Sequence, residues 1–254
     1  MISGGLSLWA LPGLPLIQPG DDLAALIFGA LTDCSVTLQD GDALVVSSKI
    51  ISKSEGRLVQ LSDVTPSDDA KEYAGQTGKD PRTVQLVLDE SKSISRLSKG
   101  VMVTTHRLGF TSANAGIDQS NVEGGDDVVL LLPKDPDASA DSLRARLKAL
   151  TGARVGIVIS DTHGRPFRLG NVGVAIGVAG VPALLDLRGQ TDLFGRVLKI
   201  TQTGHADLIA SAAHLLCGEG SEGLPVVLVR GLRYDDGEGR AHDLVRSPDL
   251  DLYR

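Results

Sequence analysis

The alternation of apolar and polar positions along the chain predicts strands and helices in an irregular order. Short apolar runs bounded by turn residues predict strands, and apolar residues spaced three and four apart predict helices. A Pro-punctuated extended segment occupies 11–17, and a polar tail follows Tyr234. The predicted strands are 43–51, 101–105, 128–132, 155–160, 173–181 and 224–229. The predicted helices are 23–31, 65–75, 81–90, 141–150 and 206–216.

This order lacks a regular β–α–β rhythm and predicts an α+β fold with mixed or largely antiparallel sheets and packed helices. The 254 residues are enough for a single domain with a sizeable core. The best candidate boundary between two lobes is 133–137. The inward stripe of the helix at 141–150 is predicted to be Leu143, Leu147 and Leu150. The last helix is predicted to face inward through Leu208, Ile209, Ala212, Leu215 and Leu216.

Composition narrows the class of protein. Hydrophobic residues make up 42% of the chain, which is typical of a globular protein, and aromatic residues only 3%, so aliphatic side chains must build the core. A net charge of −7 without a dense Lys/Arg run argues against nucleic-acid binding. No apolar run is long enough for a membrane span, and residues 1–5 do not resemble a signal peptide. Cys34 and Cys217 are interpreted as ordinary buried cysteines, and a cytoplasmic protein is expected.

The segment 114–121, Asn-Ala-Gly-Ile-Asp-Gln-Ser-Asn, offers the first candidate chemistry. Asp118 lies between amide and hydroxyl groups in a glycine-containing turn. It is a candidate ligand for a hard divalent cation, with Asn121 contacting a nucleotide. The alternative is an Asx-turn, in which Asp and Asn bond the local backbone, and for this segment taken alone the Asx-turn is favoured.

The segment 160–165, Ser-Asp-Thr-His-Gly-Arg, follows the predicted strand 155–160. Asp161 and Thr162 would offer two oxygen ligands at a strand end, or they would simply open a turn. His163 is a candidate substrate contact. Arg165 and Arg168 are candidates for neutralising a phosphate or carboxylate, with ordinary surface arginines as the alternative.

The segment 218–223, Gly-Glu-Gly-Ser-Glu-Gly, follows the last predicted helix. Its backbone N–H groups would converge on a phosphate, with Glu219 reaching that phosphate through a cation. The alternative is a glycine cap with a flexible loop. Hydroxyl and ammonium groups at 47–53 suit a polyphosphate, although a solvated strand end is the commoner fate of such residues. A Walker A pattern is absent. Together these segments indicate metal-dependent phosphoryl transfer.

These segments together resemble the coenzyme F420-0:L-glutamate ligases, the gamma-glutamyl ligases of deazaflavin coenzyme biosynthesis. The resemblance extends from about residue 8 to residue 234, so it covers nearly the whole chain. The matching stretches, in order, are 13–17, 19–23, 40–57, 114–123, 160–165 and 218–230.

The resemblance implies a family-specific α+β fold, one ligase domain over 1–254 and an intertwined homodimer. It implies an acid–amino-acid ligase that uses GTP and Mg²⁺ or Mn²⁺, with K⁺ as a further candidate cofactor. The reaction would add L-glutamate to F420-0, and then further gamma-linked glutamates, through an acyl phosphate. A non-catalytic nucleotide- and metal-binding module and a metal-dependent phosphohydrolase are the alternatives.

The resemblance also assigns roles residue by residue, and it names no catalytic residue beyond the metal ligands. The implied metal ligands are Asp118, Asp161, Thr162 and Glu219. The implied nucleotide contacts are Leu14, Pro15, Leu16, Ile17, Ser48, Lys49, Lys53, Asn121, Cys217, Gly218, Glu219, Gly220, Ser221, Glu222, Gly223 and Leu224.

Overall fold

A computed structural model describes residues 4–234 and 238–250, and it divides them among six α-helices and four β-sheets. The helices are Leu23–Asp33 (α1), Ser48–Ser54 (α2), Asp68–Thr77 (α3), Pro81–Asp89 (α4), Pro136–Thr151 (α5) and His205–Cys217 (α6). The strands are Ser7–Ala10 (β1), Ala43–Ser47 (β2), Leu58–Gln60 (β3), Ser91–Ser98 (β4), Val101–His106 (β5), Thr111–Ala113 (β6), Val128–Leu130 (β7), Gly156–Arg165 (β8), Arg168–Ala179 (β9), Leu184–Asp186 (β10), Gln202–Gly204 (β11) and Val226–Arg230 (β12).

The central sheet is mixed, with the order β1–β12–β2–β8–β9. Strands β2 and β8 are parallel, and the other neighbours are antiparallel. Successive side chains of a strand point to opposite faces. Leu44 and Ile157 therefore join a core with α1 and α5 on one face. Val45 and Val158 join a second core with α6 on the other face. The α+β class with mixed sheets is confirmed.

A second region, built by α3, α4 and the strands β3 to β7, packs against the central sheet. Helices α3 and α4 cover the three-stranded sheet β4–β5–β6 around the buried residues Val84, Val87 and Met102. Strands β3 and β7 form a separate antiparallel pair, and Leu61 packs against Val129 there. This region supplies the loop 114–121, which follows β6 directly.

Glu90, which follows α4, anchors the second region through a group of charged side chains that we call the Glu90 cluster: Glu90, Arg57, His106 and Arg107. Arg57 Nη2 donates to Glu90 Oε1, and Arg107 Nε donates to Glu90 Oε2, both at 2.8 Å. The two arginines also donate to the carbonyls of Leu132, Pro133 and Lys134. The chain that leads into α5 is therefore tied to the end of α4.

Several predicted boundaries are wrong for local reasons. The predicted strand 43–51 ends at Ser47, because the Ser47 hydroxyl caps the new helix α2. The predicted strand 155–160 continues to Arg165, so Asp161 lies inside β8 and not at its end. Helix α5 begins at Pro136, where the carboxylate of Asp135 accepts from Ala138 N. The division into lobes at 133–137 stays a prediction.

The inward face predicted for the last helix is also wrong. Ile209 is buried, but Leu208, Leu215 and Leu216 are 59%, 84% and 37% exposed. The face of α6 that packs on the sheet is built by small residues, because β9 approaches this helix closely. That packing face carries Ala206, Ala210 and Ala213. Leu150 of α5 is likewise exposed, while Leu143 and Leu147 are buried as predicted.

The tail predicted after Tyr234 is described only from 238 to 250, and residues 235–237 and 251–254 lie outside the described residues. Gly239 N donates to Val181 O at 3.0 Å, and Arg240 forms an ion pair with Asp141. Ala241 and Leu244 pack against the α6 core, so this part of the tail is attached to the fold. Among the described helices, none combines the length and hydropathy needed to cross a bilayer.

Candidate functional site

The candidate site lies where loops meet the end of β2 and the middle of β8. Ser47 N donates to Pro225 O at 2.8 Å, which places the start of α2 beside the chain that leaves the glycine loop 218–223. Strand β2 runs parallel to β8, with Ser47 opposite Ser160. Residues 48–49 and 161 are therefore brought together by the register of two neighbouring strands.

Lys49 lies among three carboxylates, and we call Lys49, Asp118, Asp161 and Glu219 the Lys49 cluster. The Lys49 ammonium forms an ion pair with Asp118. Burial lowers the pKa of Lys49, and the charges of Asp161 and Glu219 act in the opposite direction. The three carboxylates predicted as metal ligands thus surround one cation supplied by the protein.

Asp118 adopts the Asx-turn that was considered from the sequence, and it also pairs with a lysine. Its Oδ1 accepts from the N–H and the hydroxyl of Ser120, at 2.7 and 2.8 Å, which is an Asx-turn. Its Oδ2 pairs with Lys49. Backbone hydrogen bonds with Leu130 in both directions fix the loop on β7. The turn therefore aims one oxygen of Asp118 into the site.

Asp161 is shared by two side chains that flank it. Ser48 Oγ donates to Oδ1 at 3.2 Å, and His163 Nε2 lies 3.1 Å from Oδ2. Thr162 follows on β8 and, by strand alternation, points to the opposite face of the sheet. Its role as a metal ligand stays a prediction.

The glycine loop joins the site through Asn121. Lys53 Nζ donates to Asn121 O at 2.7 Å, and Asn121 Nδ2 donates to Gly220 O at 3.0 Å. Asn121 has a φ of 55°, a left-handed conformation that Asn adopts more readily than most residues. These contacts connect α2, the loop 114–121 and the glycine loop, as the nucleotide assignment requires.

A carboxylate already occupies part of the glycine loop. Gly220 N donates to Glu222 Oε2 at 2.8 Å. Gly218 has a φ of 69°, and a Cβ there would collide with the Glu222 carboxylate. Its φ of 69° together with a ψ of 177° is a conformation that essentially only glycine adopts. An anion is thus bound by a backbone N–H of this loop, although here the anion belongs to the protein.

His214 is a residue of the site that the sequence interpretation missed. Its Nδ1 lies 3.3 Å from Glu219 Oε1, and its Nε2 lies 3.2 Å from Ser160 Oγ. His214 therefore links Glu219 to the residue before Asp161. The available signal was its position on α6, five residues before Glu219. Ser120, which supports Asp118, was also missed as a site residue.

The segment 14–17 lies at the same end of the central sheet. Leu11 N donates to Val226 O at 2.9 Å, so the segment begins beside the strand that follows the glycine loop. Ile17 is buried, and Leu16 is 79% exposed. Within the described ranges, no hydrogen bond engages the backbone groups of 14–17. Those groups are available to a ligand.

The structure corrects the interpretation of the two cysteines. Cys34 is exposed and Cys217 is half-buried, so neither is an ordinary buried cysteine. Burial and the charge of Glu219 raise the pKa of the Cys217 thiol to about 11, which keeps it protonated near neutral pH.

Arg165 lies in the β8–β9 hairpin and donates to Leu169 O at 2.8 Å. Arg168 begins β9 and is exposed there.

Within the described ranges, no group of three or more His, Cys, Asp or Glu side chains is arranged to hold a metal ion. The carboxylates of the Lys49 cluster are engaged by protein donors instead. Ser120 donates a hydrogen bond to Asp118, and Lys49 forms an ion pair with it. Ser48 donates to Asp161, and His214 contacts Glu219. The assignment of these residues as metal ligands stays a prediction.

Comparison with known proteins identifies the family. A family model described as F420-0:gamma-glutamyl ligase matches residues 13–231. A protein of Methanopyrus kandleri named coenzyme F420:L-glutamate ligase is 46% identical over 258 residues, covering 99% of this chain and all of that protein. Proteins with the same name from Archaeoglobus fulgidus and Methanothermobacter thermautotrophicus are 49% and 43% identical. They cover 95% and 98% of this chain, and 94% and 99% of their own lengths.

The match extends over the segments that the structure brings together at the Lys49 cluster, and the family resemblance read from the sequence is confirmed. The chain belongs to the F420-0:gamma-glutamyl ligase family, a family of ligases.

Proposed function

We propose that this chain is a GTP-dependent ligase that adds L-glutamate to F420-0 and then adds further glutamates through gamma linkages. The observation that carries the proposal is the Lys49 cluster. Three carboxylates lie near one ammonium, beside a loop in which the N–H of Gly220 binds the carboxylate of Glu222. Such a site suits a polyphosphate with its cations. The names of the similar proteins supply the acceptor and the amino acid.

The phosphates of GTP would lie between α2 and the glycine loop. Lys53 and Lys49 supply positive charge there, and the N–H of Gly220 becomes available if Glu222 turns away. Leu14, Pro15, Leu16 and Ile17 would receive the guanine on their unengaged backbone groups. Ser48, Asn121, Cys217, Gly218, Ser221, Gly223 and Leu224 complete the proposed nucleotide contacts.

The chemistry of the donors, though not their present arrangement, suits a hard divalent cation. Asp118, Asp161 and Glu219 offer carboxylate oxygens, and Lys49 shows that the place between them accepts a positive charge. With Thr162, these residues would hold Mg²⁺ or Mn²⁺, and K⁺ is a further candidate. When bound, such ions neutralise the phosphate charge and hold the transferring group in line. Lys49 would then leave Asp118 and turn to the phosphates.

The proposed chemistry has two steps. A terminal carboxylate oxygen of F420-0 attacks the γ-phosphorus of GTP, the bond to the β-phosphate oxygen breaks, and GDP leaves. The α-amine of L-glutamate then attacks the acyl carbon, the acyl–phosphate bond breaks, and inorganic phosphate leaves as the amine loses a proton. The protein's part is to hold the two carboxyl-bearing substrates beside the γ-phosphate and to exclude water.

Mass spectrometry of the deazaflavin after incubation with GTP, Mg²⁺ or Mn²⁺ and L-glutamate tests this function. We expect products heavier by whole glutamyl units, and GDP release that requires both F420-0 and glutamate. GDP release without either substrate would indicate a phosphohydrolase. GTP binding without GDP release in any mixture would indicate a non-catalytic binding module.

The choice of nucleotide is a separate part of the proposal. A guanine held by paired hydrogen-bonding groups excludes adenine strongly, because the wrong base leaves those groups unsatisfied. We therefore expect kcat/KM to be higher with GTP than with ATP at a fixed metal concentration. Equal values would remove the assignment of 14–17 and leave the Lys49 cluster unaffected.

We also propose an intertwined homodimer, supported by an apolar arm that the chain leaves uncovered. The arm, residues 187–201 between β10 and β11, carries four exposed apolar side chains: Leu193, Phe194, Val197 and Ile200, at 100%, 85%, 56% and 88% exposure. Exposed apolar groups of this size mark interaction surfaces. A second copy of the chain is the occupant that the family resemblance implies.

Light scattering tests the dimer. We expect twice the chain mass of 26.5 kDa for the wild-type protein, and a shift toward monomer for Phe194→Ser. Leu150→Ser, which changes a 42% exposed leucine on α5, is the matched control and is expected to leave the mass unchanged. An active monomer of the wild-type chain would end the proposal.

A further inference from the structure

A cavity of about 500 Å³ opens beside the Lys49 cluster, and none of the residues assigned above to nucleotide or metal lines it. It lies between the β5–β6 turn, the start of α5, the middle of β9 and the tail segment 241–246. The volume falls within the range of pockets for small organic ligands, about 300–1,000 Å³. It is therefore large enough for a substrate in addition to the nucleotide.

The cavity is connected to the Lys49 cluster through one buried side chain. His163 lines the cavity, its side chain is 10% exposed, and its Nε2 lies 3.1 Å from Asp161 Oδ2. The ring of Phe110, also at the cavity wall, lies 4.8 Å from the His163 ring. A ligand in the cavity would thus be separated from Asp161 by a single imidazole.

The charged groups of the cavity favour an anion. In the part of the chain that the structure describes, no hydrogen bond or ion pair engages the ammonium groups of Lys92 and Lys134. The acidic groups are engaged: Asp135, Asp137 and Asp207 accept from the backbone N–H groups of Ala138, Val178 and Ala175, at 2.8 to 3.0 Å. The cations are available to a ligand, while the carboxylates are used by the fold.

The remaining wall is apolar. Leu108, Val174, Ile176, Leu244 and Val245 line it. The tail contributes directly to this wall, because Gly109 lets Val245 approach: a Cβ on Gly109 would lie 3.3 Å from Val245 Cγ1. An apolar wall suits a planar ring system, and a pair of free ammonium groups suits an anionic side chain.

We propose that this cavity binds the deazaflavin acceptor. The ring lies along the apolar wall, and the anionic side chain runs past Lys92 and Lys134, with its terminal carboxylate toward His163 and the Lys49 cluster. The assignment rests on the proposed ligase function, since that function defines the acceptor. It places the acceptor on one side of Asp161 and the nucleotide on the other.

The test is direct binding of F420-0 to the full-length chain, measured by the change in deazaflavin absorbance without GTP. The double variant Lys92→Ser/Lys134→Ser is compared with Lys71→Ser/Lys99→Ser, which removes the same charge from two exposed lysines that do not line the cavity. Kd for GTP is measured by calorimetry in all three proteins, and KM for glutamate is measured at saturating F420-0.

We expect the cavity variant to raise Kd for F420-0 by about tenfold or more, the loss expected for hydrogen bonds to charged groups. Its Kd for GTP and its KM for glutamate should equal those of the wild-type protein, and the control should match the wild-type protein throughout. Unchanged F420-0 affinity would overturn the assignment. A rise confined to KM for glutamate would overturn it in favour of a glutamate site.

The outcomes keep this assignment apart from the function itself. If the variant loses F420-0 affinity while the wild-type protein forms no glutamyl product, the binding site is supported and the ligase function is contradicted. If the wild-type protein ligates glutamate while the variant keeps its F420-0 affinity, the ligase function is supported and the assignment of the cavity is contradicted.

Discussion

Two clusters of charged side chains in this molecule differ in charge balance. In the Glu90 cluster, one carboxylate accepts from Arg57 and Arg107 at 2.8 Å, and His106 Nε2 lies 3.4 Å away. In the Lys49 cluster, three carboxylates share a single ammonium. The first cluster has more cationic groups than carboxylates, and the second has the reverse.

The difference separates a structural role from a binding role. A buried carboxylate that is fully paired ties its surroundings together, and breaking such a pair is strongly destabilising. A group of carboxylates with too little positive charge keeps its affinity for a cation. The Glu90 cluster is therefore expected to control stability, and the Lys49 cluster is expected to control activity.

The largest effect is expected at the Lys49 cluster. Asp118→Asn, Asp161→Asn and Glu219→Gln should each lower kcat/KM for ligation by about a thousandfold, or about 4 kcal/mol, because a neutralised ligand no longer supports the charge of the transition state. The free energy of unfolding should change little, since each variant keeps the side-chain volume and leaves two carboxylates near Lys49. Steady-state kinetics and urea unfolding measure the two quantities.

Asp68→Asn is the matched control for these three variants, because the Asp68 side chain is 99% exposed and pairs with Lys71 on the surface of α3. It should match the wild-type protein in both measurements. Near-normal turnover in one of the three site variants would remove that residue from the proposed metal site.

The next effect is expected at the Glu90 cluster, and it should fall on stability. Glu90→Gln leaves Arg57 and Arg107 without their carboxylate, so the free energy of unfolding should fall by about 3 kcal/mol. Glu72→Gln, on the exposed face of α3, should change it by less than about 0.5 kcal/mol. Equal urea midpoints for the two variants would contradict the structural role of the Glu90 cluster.

The same cluster predicts a dependence of stability on pH. Burial raises the pKa of Glu90, but contacts with His106, Arg107 and Arg57 outweigh it and lower the pKa from 4.5 to about 2. A lowered folded-state pKa gives stability that is complete above pH 4.5 and is lost as the pH falls toward 2. At pH 3 the wild-type protein should have lost about 2 kcal/mol of this contribution.

The glutamine variant isolates this effect, because every other titrating group is common to both proteins. The difference in unfolding free energy between wild type and Glu90→Gln should therefore shrink by about 2 kcal/mol between pH 7 and pH 3. A difference that stays constant over this range would show that Glu90 does not carry a lowered pKa.

The comparison also shows what the sequence could and could not predict. The periodic elements were predictable from their apolar residues, because α1 buries one stripe on the central sheet and β12 is buried on both of its faces. The segments of the Lys49 cluster were predictable as candidate oxygen ligands, although Asp161 lies inside β8 and Lys49 lies in α2. Their mutual contacts were not, because the pairing of β2 with β8 over more than a hundred residues decides them. The exposed face of α6 was missed for a related reason: periodicity marks an apolar stripe, but it does not say which stripe the chain itself covers.

His214 offers the smallest and last test of the comparison. Ser160 Oγ, His214 and Glu219 form a chain of contacts at 3.2 and 3.3 Å that resembles a nucleophile with its base and its acid. Ser160 is only 1% exposed, however, so its hydroxyl cannot reach a substrate. We infer that these contacts serve to position Glu219. Ser160 holds His214, and His214 holds the carboxylate of Glu219 within the Lys49 cluster.

Ser160→Ala should therefore lower kcat/KM by less than about tenfold, the loss of one ordinary hydrogen bond of about 1 kcal/mol. Ser211→Ala on α6, which removes a hydroxyl that donates to Gly173 O at 2.6 Å, is the matched control and should behave similarly. A catalytic nucleophile behaves differently, because its removal costs about 10⁴-fold or more. A loss of that size in Ser160→Ala alone would show that Ser160 acts as a nucleophile. Glu219 would then orient His214 and would not bind the cation of the Lys49 cluster.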